Sequence, residues 1–297
     1  MVHAPSGRRL SRNNGLSCTV SYPKAVQVVY ASSSHACSQA AFRFDLGRKM
    51  NFWNELSASA RQGSYAGLMF LLAAGAAFFC FFVVALLVLR FANPPFSAVM
   101  LRDRLAGAEV HYKWTPIEQI SDHVIRAVIS SEDARFCQHF GIDFHEWRRV
   151  MRAAERDGID AVRGASTITM QVAKNLFLWT DRSYVRKGLE LAITPIIELV
   201  WPKRRIMEVY LNIAQWGPGL FGIGVAARRH FKRAPLQLSV HQASLLTASL
   251  PAPSVRKAGA ATRFTRRIAT RIRHRMRSDA VRTDCVIRGP GSRRSLR

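Results

Sequence analysis

The sequence predicts a mainly α-helical domain carried behind one membrane-spanning helix. Three observations point that way. An uncharged run of 25 residues stands from Tyr65 to Leu89. Beyond it, apolar residues recur at helical spacing, with Ser, Thr and Asp where such runs begin. Strand-like alternation is scarce. Hydrophobic residues make up 48% of the 297 positions, enough to bury a core of useful size.

Residues 1–64 are polar, basic and rich in Ser and Arg, and read as a cytoplasmic, disordered segment. Met50, just ahead of the apolar run, offers an alternative start. Residues 65–90 are apolar on every face and exceed the ~20 positions that carry a helix across ~30 Å of hydrocarbon. A cleaved signal peptide has a shorter apolar region, ~7–15 residues, and a small-residue cleavage site close behind. Arg90-Phe91-Ala92-Asn93-Pro94-Pro95 offers no such site. Eight Lys/Arg against Asp45 and Glu55 precede the run, and no charge lies between Phe91 and Leu101. The amino end is therefore expected in the cytoplasm and residues 91–297 outside, which in a double-membrane bacterium is the periplasm.

The folded region is expected over residues 98–258. Thr115-Pro116-Ile117-Glu118 fits a capping box with Pro in the first turn. Ser121 and Asp122 cap a helix running into Glu132. Ser166 caps a second from Thr167 to about Leu178. Ser183 caps a third that presents Arg186 and Glu190 at i, i+4, and Pro195 predicts a kink or break within it. Lys203–Asn212 and Leu238–Leu250 are further helices, the latter ended by Pro251-Ala252-Pro253. Residues 259–297 form a basic tail. Fourteen Lys/Arg against Asp279 and Asp284 after position 255 supply much of the formal net charge of +25. Such a run is most often solvated, next a lipid-headgroup contact, and only distantly a nucleic-acid arm. Five scattered cysteines without CxxC spacing indicate neither a disulfide framework nor a zinc site; only Cys137 and Cys285 lie on the outer side.

Two carboxylates stand out. Glu132, beside Asp133, with Phe136 to shelter it and His139-Phe140-Gly141 as a polar turn, can have its proton affinity raised toward that of a general base. Ser166, Thr167, Gln171, Lys174 and Asn175 share the start and one face of a helix, followed by Arg182, Arg186 and Lys187. A helix amino terminus with cations on one face suits phosphate or diphosphate better than a neutral polysaccharide. Gly217-Pro218-Gly219-Leu220-Phe221-Gly222 matches GxGxxG literally, but it follows a helix and lacks an acidic ribose partner. It reads as a tight loop where helices approach closely.

From about Trp114 to Pro253 the chain resembles the peptidoglycan glycosyltransferases of family 51, and within them the monofunctional transglycosylases. Five motifs stand in order: Glu132-Asp133…Phe136…His139…Gly141; Gly164…Ser166-Thr167-Ile168-Thr169…Gln171; Arg186-Lys187…Glu190; Arg205-Ile206-Met207-Glu208-Val209-Tyr210-Leu211-Asn212…Gly217; and Ala243…Leu250-Pro251-Ala252-Pro253. The resemblance implies a lysozyme-like, two-lobed domain that polymerises lipid II into glycan strands and releases undecaprenyl diphosphate. It makes Glu132 the base for the acceptor 4-hydroxyl. Glu190 becomes the second carboxylate, admitting a divalent metal, Mg2+ or Mn2+; no organic cofactor is implied. Asp133, His139, Ser166, Thr167, Gln171, Lys174, Asn175, Arg182, Arg186 and Lys187 fall at substrate positions. Expected partners are the growing glycan strand, the membrane, and cell-wall synthesis and division proteins. Met170 stands where the family commonly has Gln, and His241 where it has Glu. Two rivals remain: a lytic glycosidase of similar fold, and a membrane-anchored scaffold without turnover.

Overall fold

The computed structural model describes residues 11–12, 17–20, 28–31, 65, 67–157, 166–181, 183–278 and 280–287. The chain divides into two compact units, residues 1–79 and 80–297. In the first, strands β1 (Ser11–Arg12), β2 (Ser17–Val20) and β3 (Val28–Ala31) pair antiparallel, Cys18 opposite Tyr30. Here composition predicts disorder, but Thr19, Val20, Val28 and Val29 are β-branched and suit a strand.

Helix α1 (Gly67–Phe91) is long and apolar enough to cross a membrane. The second unit is mostly helical: α2 (Ala98–Leu105), α3 (Asp122–Glu132), α4 (Phe144–Asp157), α5 (Ile168–Phe177), α6 (Tyr184–Val200), α7 (Lys203–Ile213), α8 (Ile223–Phe231), α9 (Val240–Ser249) and α10 (Arg263–Arg275). A small sheet joins β4 (His111–Tyr112) in parallel to β6 (Leu220–Phe221), which pairs antiparallel with β5 (Gln215–Gly217). The GxGxxG-like stretch is thus a tight hairpin. At Gly219 and Gly222, both at positive φ, an added Cβ would strike the Glu109 and Asn212 carbonyls; the close approach is to backbone.

Several caps fall where the sequence puts them. Ser121 accepts from the His123 N–H and Ser183 from that of Arg186, while Ser239 and Gln242 close a full capping box on α9. Three expectations are corrected. The cap of α5 is Thr167, which accepts from Met170, and Ser166 is left outside the helix. No capping box forms at Thr115. Ile117–Gln119 is a single 3-10 turn, the Asn212 amide ties the Thr115 backbone instead, and Glu118 takes Arg204. Helix α6 also runs unbroken through Pro195. Flanking α5 and α7 pack on it and hold the ring in register despite the missing N–H.

The basic stretch after 258 is corrected as well. Helix α10 packs on α9 and α3, burying Ala269 and Ile272, and Met276, Val281 and Val286 complete the same core. Arg263, Arg266, Arg267, Arg271 and Arg275 are exposed around that seam. Cys137 and Cys285 form a disulfide across 148 residues, fastening this segment beside the end of α3. The core itself gathers α3, α5, α7 and α9, with Ile129, Ile168, Ile206, Tyr210 and Trp216 fully enclosed.

Candidate active site

Glu132 sits in the last turn of α3, where the chain turns at Asp133. Asp133 holds that turn to the next helix: its Oδ2 accepts from the Ile168 N–H at 3.0 Å and its Oδ1 lies 2.9 Å from His139 Nε2. Both residues were expected to touch substrate. Asp133 is only 7% exposed and is tied to Ile168 and His139, so it shapes the loop; His139 keeps a buried Nδ1 without a hydrogen-bond partner. Thr167 likewise is used up, capping α5 and donating to the Gly141 carbonyl at 2.5 Å. Gly141 has φ +83°, and a Cβ there would meet Thr194 and Glu198 within 3 Å; only glycine passes between the loop and α6.

With the loop fixed, the Glu132 carboxylate meets neutral donors. Gln171 Nε2 donates to Oε2 at 3.2 Å, and Ser131 donates to Oε1 at 3.2 Å. Behind Gln171, the enclosed Tyr210 hydroxyl donates to its Oε1 at 3.3 Å, which turns the amide N–H toward Glu132. Burial pushes the Glu132 carboxyl above its ordinary value. The two hydrogen bonds and the Lys174 charge pull the other way, and the Asp133 charge adds to the rise. Burial, together with the charges of Glu132 and Asp133, holds the Tyr210 phenol protonated far above its usual range.

Lys174, one turn beyond Gln171 on α5, leads from the carboxylate to the cations. Burial and the neighbouring Arg186 lower its ammonium, while Glu132 opposes them. Lys187 donates to Ser166 at 2.9 Å and to Glu190 Oε2 at 3.0 Å. Burial, then Arg186 and Lys174, bring its ammonium down to about 8. Arg186 pairs with Glu190 Oε1. Glu190, 3% exposed, therefore has a cation on each oxygen. Asn175 is half-buried on the same helix. Arg182, Gly164 and Ala165 lie outside the described residues. Met170 is 2% exposed and points into the core, so its thioether takes no place among the cradle donors. His241 is exposed at the start of α9.

A divalent cation does not fit Glu190 as it stands, because Arg186 and Lys187 already occupy both oxygens. Asp133, His139 and Asp143 lie close enough together to hold an ion. Their oxygens, though, accept from Ile168, His145 and Glu146 backbone N–H groups, and His139 Nε2 is spent on Asp133.

Sequence reasoning named Tyr210 only as a motif member and missed a second buried network. Glu198 accepts from Thr169 Oγ1 at 2.5 Å and from Lys203 Nζ at 2.8 Å, and that ammonium lies 4.4 Å from the Phe136 ring centroid. This network joins α5, α6 and α7 under the loop. A polar residue on the buried stripe of α7, such as Tyr210, was the available signal.

Comparison with known proteins identifies the family. The family model described as Transglycosylase matches residues 100–277. Curated relatives named biosynthetic peptidoglycan transglycosylase include one from Agrobacterium fabrum, 45% identical over 193 residues, covering 65% of this chain and 84% of the relative. Another, from Stutzerimonas stutzeri, is 44% identical over 201 residues, covering 66% and 82%. A third, from Rhodospirillum centenum, is 47% identical over 189 residues, covering 63% and 80%.

Proposed function

The chain belongs to the transglycosylase family, and on that premise we propose how its own residues carry the reaction. It is a glycosyltransferase that polymerises peptidoglycan glycan strands. The substrate is lipid II, a disaccharide joined through diphosphate to a polyprenyl tail. Glu132 takes the proton of the acceptor 4-hydroxyl as that oxygen attacks the anomeric carbon of the donor. The bond from that carbon to the diphosphate breaks, and the electron pair leaves with the diphosphate. Inversion at an α-linked donor gives the β-linkage. A sugar hydroxyl is a poor nucleophile and needs the base; a diphosphate departs readily and needs cations rather than a strong acid. Lys174, Arg186 and Lys187 receive that charge, and Glu190 holds the last two in place. No step is routed through a metal.

The observation that carries this reading is a half-buried Glu132 whose direct hydrogen-bond partners are neutral, and whose partner Gln171 stands one helical turn before Lys174, the cation whose charge acts on it. A lytic glycosidase cutting neutral glycan has no use for that cluster. Purified full-length protein should polymerise labelled lipid II and leave isolated sacculi intact; consumption of sacculi alone would overturn the assignment.

The protein is a single-pass protein of the inner membrane, with its amino end in the cytoplasm and its catalytic unit in the periplasm. The charge asymmetry about α1 supports this orientation. So does the Cys137–Cys285 bond, since disulfides persist in oxidising compartments. On α4, exposed Phe144, Trp147 and Met151 run beside Arg148, Arg149 and Arg152, a pairing suited to an anionic bilayer surface. Thiol labelling of unreduced, denatured protein from membranes should find Cys137 and Cys285 blocked. Free thiols at both would contradict the periplasmic placement.

A further inference from the structure

Helix α1 does not end free. In its last turns Leu86 is fully buried and Phe82 meets Phe177 edge-on, 5.2 Å between centroids. The Trp201 indole donates to the Leu86 carbonyl at 2.7 Å. The final carbonyls of a helix lack partners within it, and here Arg205, on α7, supplies donors. Its Nε and Nη2 both donate to the Leu89 carbonyl, at 3.2 and 3.0 Å, and Nη2 donates also to that of Ala92 at 2.6 Å. Nη1 donates to Asn93 Oδ1 at 3.0 Å and Glu208 Oε2 at 2.7 Å. All five guanidinium N–H groups are spent, and the charge sits at the negative end of the α1 dipole. In return Arg90, at the end of α1, donates to the Val200 carbonyl, the last of α6, at 2.7 Å. So α7 caps α1, and α1 caps α6.

The two helices that α1 joins, α6 and α7, carry the site. Helix α6 bears Arg186, Lys187 and Glu190, and α7 bears Tyr210 behind Gln171 and Glu132. A joint that grips both at the membrane helix fixes them relative to the bilayer. We infer that Arg205 is a positioning residue: through the α1 joint it holds the active site at a set height and tilt, so that a diphosphate tethered in the bilayer meets the cations in register. This rests on the glycan-polymerase reading above. A role confined to fold stability would impair every substrate alike. The joint should matter only where the donor is itself held by the membrane.

The test uses the full chain in anionic lipid vesicles with two donors: lipid II with its full polyprenyl tail in the same bilayer, and a water-soluble short-chain analogue. Arg205→Lys keeps a charge beside Glu208 but cannot span Leu89, Ala92 and Asn93 from one nitrogen. Misplacement of a reacting group is costly, so kcat/KM for the bilayer donor should fall about tenfold in Arg205→Lys and about threefold in Arg90→Ala, and stay within about twofold for the soluble donor. Equal losses on both donors, or no loss on the bilayer donor in either variant, would overturn the joint. Arg90 is exposed and makes a single bond here, so its variant decides the matter if Arg205→Lys fails to fold. Wild-type protein inert toward both donors would overturn the polymerase reading, and this inference with it.

Discussion

Glu132 and Glu190 are the same side chain in opposite surroundings. Glu132 is half-buried among neutral donors, and its proton affinity is raised. Glu190 is almost fully enclosed, with Arg186 and Lys187 on its two oxygens. The first is kept short of positive charge and can accept a proton; the second is saturated with it and can only orient. In the proposed mechanism, environment rather than residue type divides base from counter-ion, as in other enzymes that use paired carboxylates.

The contrast can be broken at its strong end first. Glu132→Gln removes the proton acceptor and should cut turnover by about a thousandfold, while binding of lipid II changes little. Comparable rates of polymer formation in wild type and variant would reverse the assignment. Glu190→Gln should cost less, about a hundredfold in kcat/KM and mostly in KM, because it releases two cations rather than the base. Steady-state kinetics with varied lipid II separates the two outcomes. Lys187→Arg sharpens the picture further. The lysine must be protonated to receive the diphosphate, so activity should fall as pH rises through about 8. A guanidinium does not titrate there, and the variant should keep more of its alkaline activity than the wild type, with Lys174 setting what limb remains. Gln171→Leu removes a bond that lowers the Glu132 proton affinity. Its acid limb should move to higher pH with a rate loss of about threefold. The smallest effect is expected from a chelator, which should leave turnover within about twofold, since Glu190 is already neutralised by side chains.

Legibility followed distance along the chain. The Ser121 and Ser183 caps and the Arg186–Glu190 pair were readable because helical geometry fixes neighbours three and four residues apart. Gln171 and Glu132 stand 39 residues apart, and no local rule specifies that the amide would face that carboxylate. The Ile168 N–H and His139 as partners of Asp133 were hidden for the same reason: both depend on how the loop and α5 pack. The disulfide joins residues 148 apart and left no spacing to read. In α10 the apolar seam of Ala269, Ile272 and Met276 is thin beside its arginines, so charge masked a core helix. Pro195 failed as a breaker because tertiary packing outweighs a local propensity.

The most direct check of the Glu132 assignment is the pH dependence of kcat/KM for the wild-type protein, which reports the free enzyme. A base with raised proton affinity must lose activity as pH falls through that raised value, and the cradle must fail as pH rises through about 8. The predicted profile is therefore a bell whose acid limb lies above the ordinary range of a glutamate. An acid limb at the ordinary glutamate value, or a rate indifferent to pH below neutrality, would contradict Glu132 as the proton acceptor.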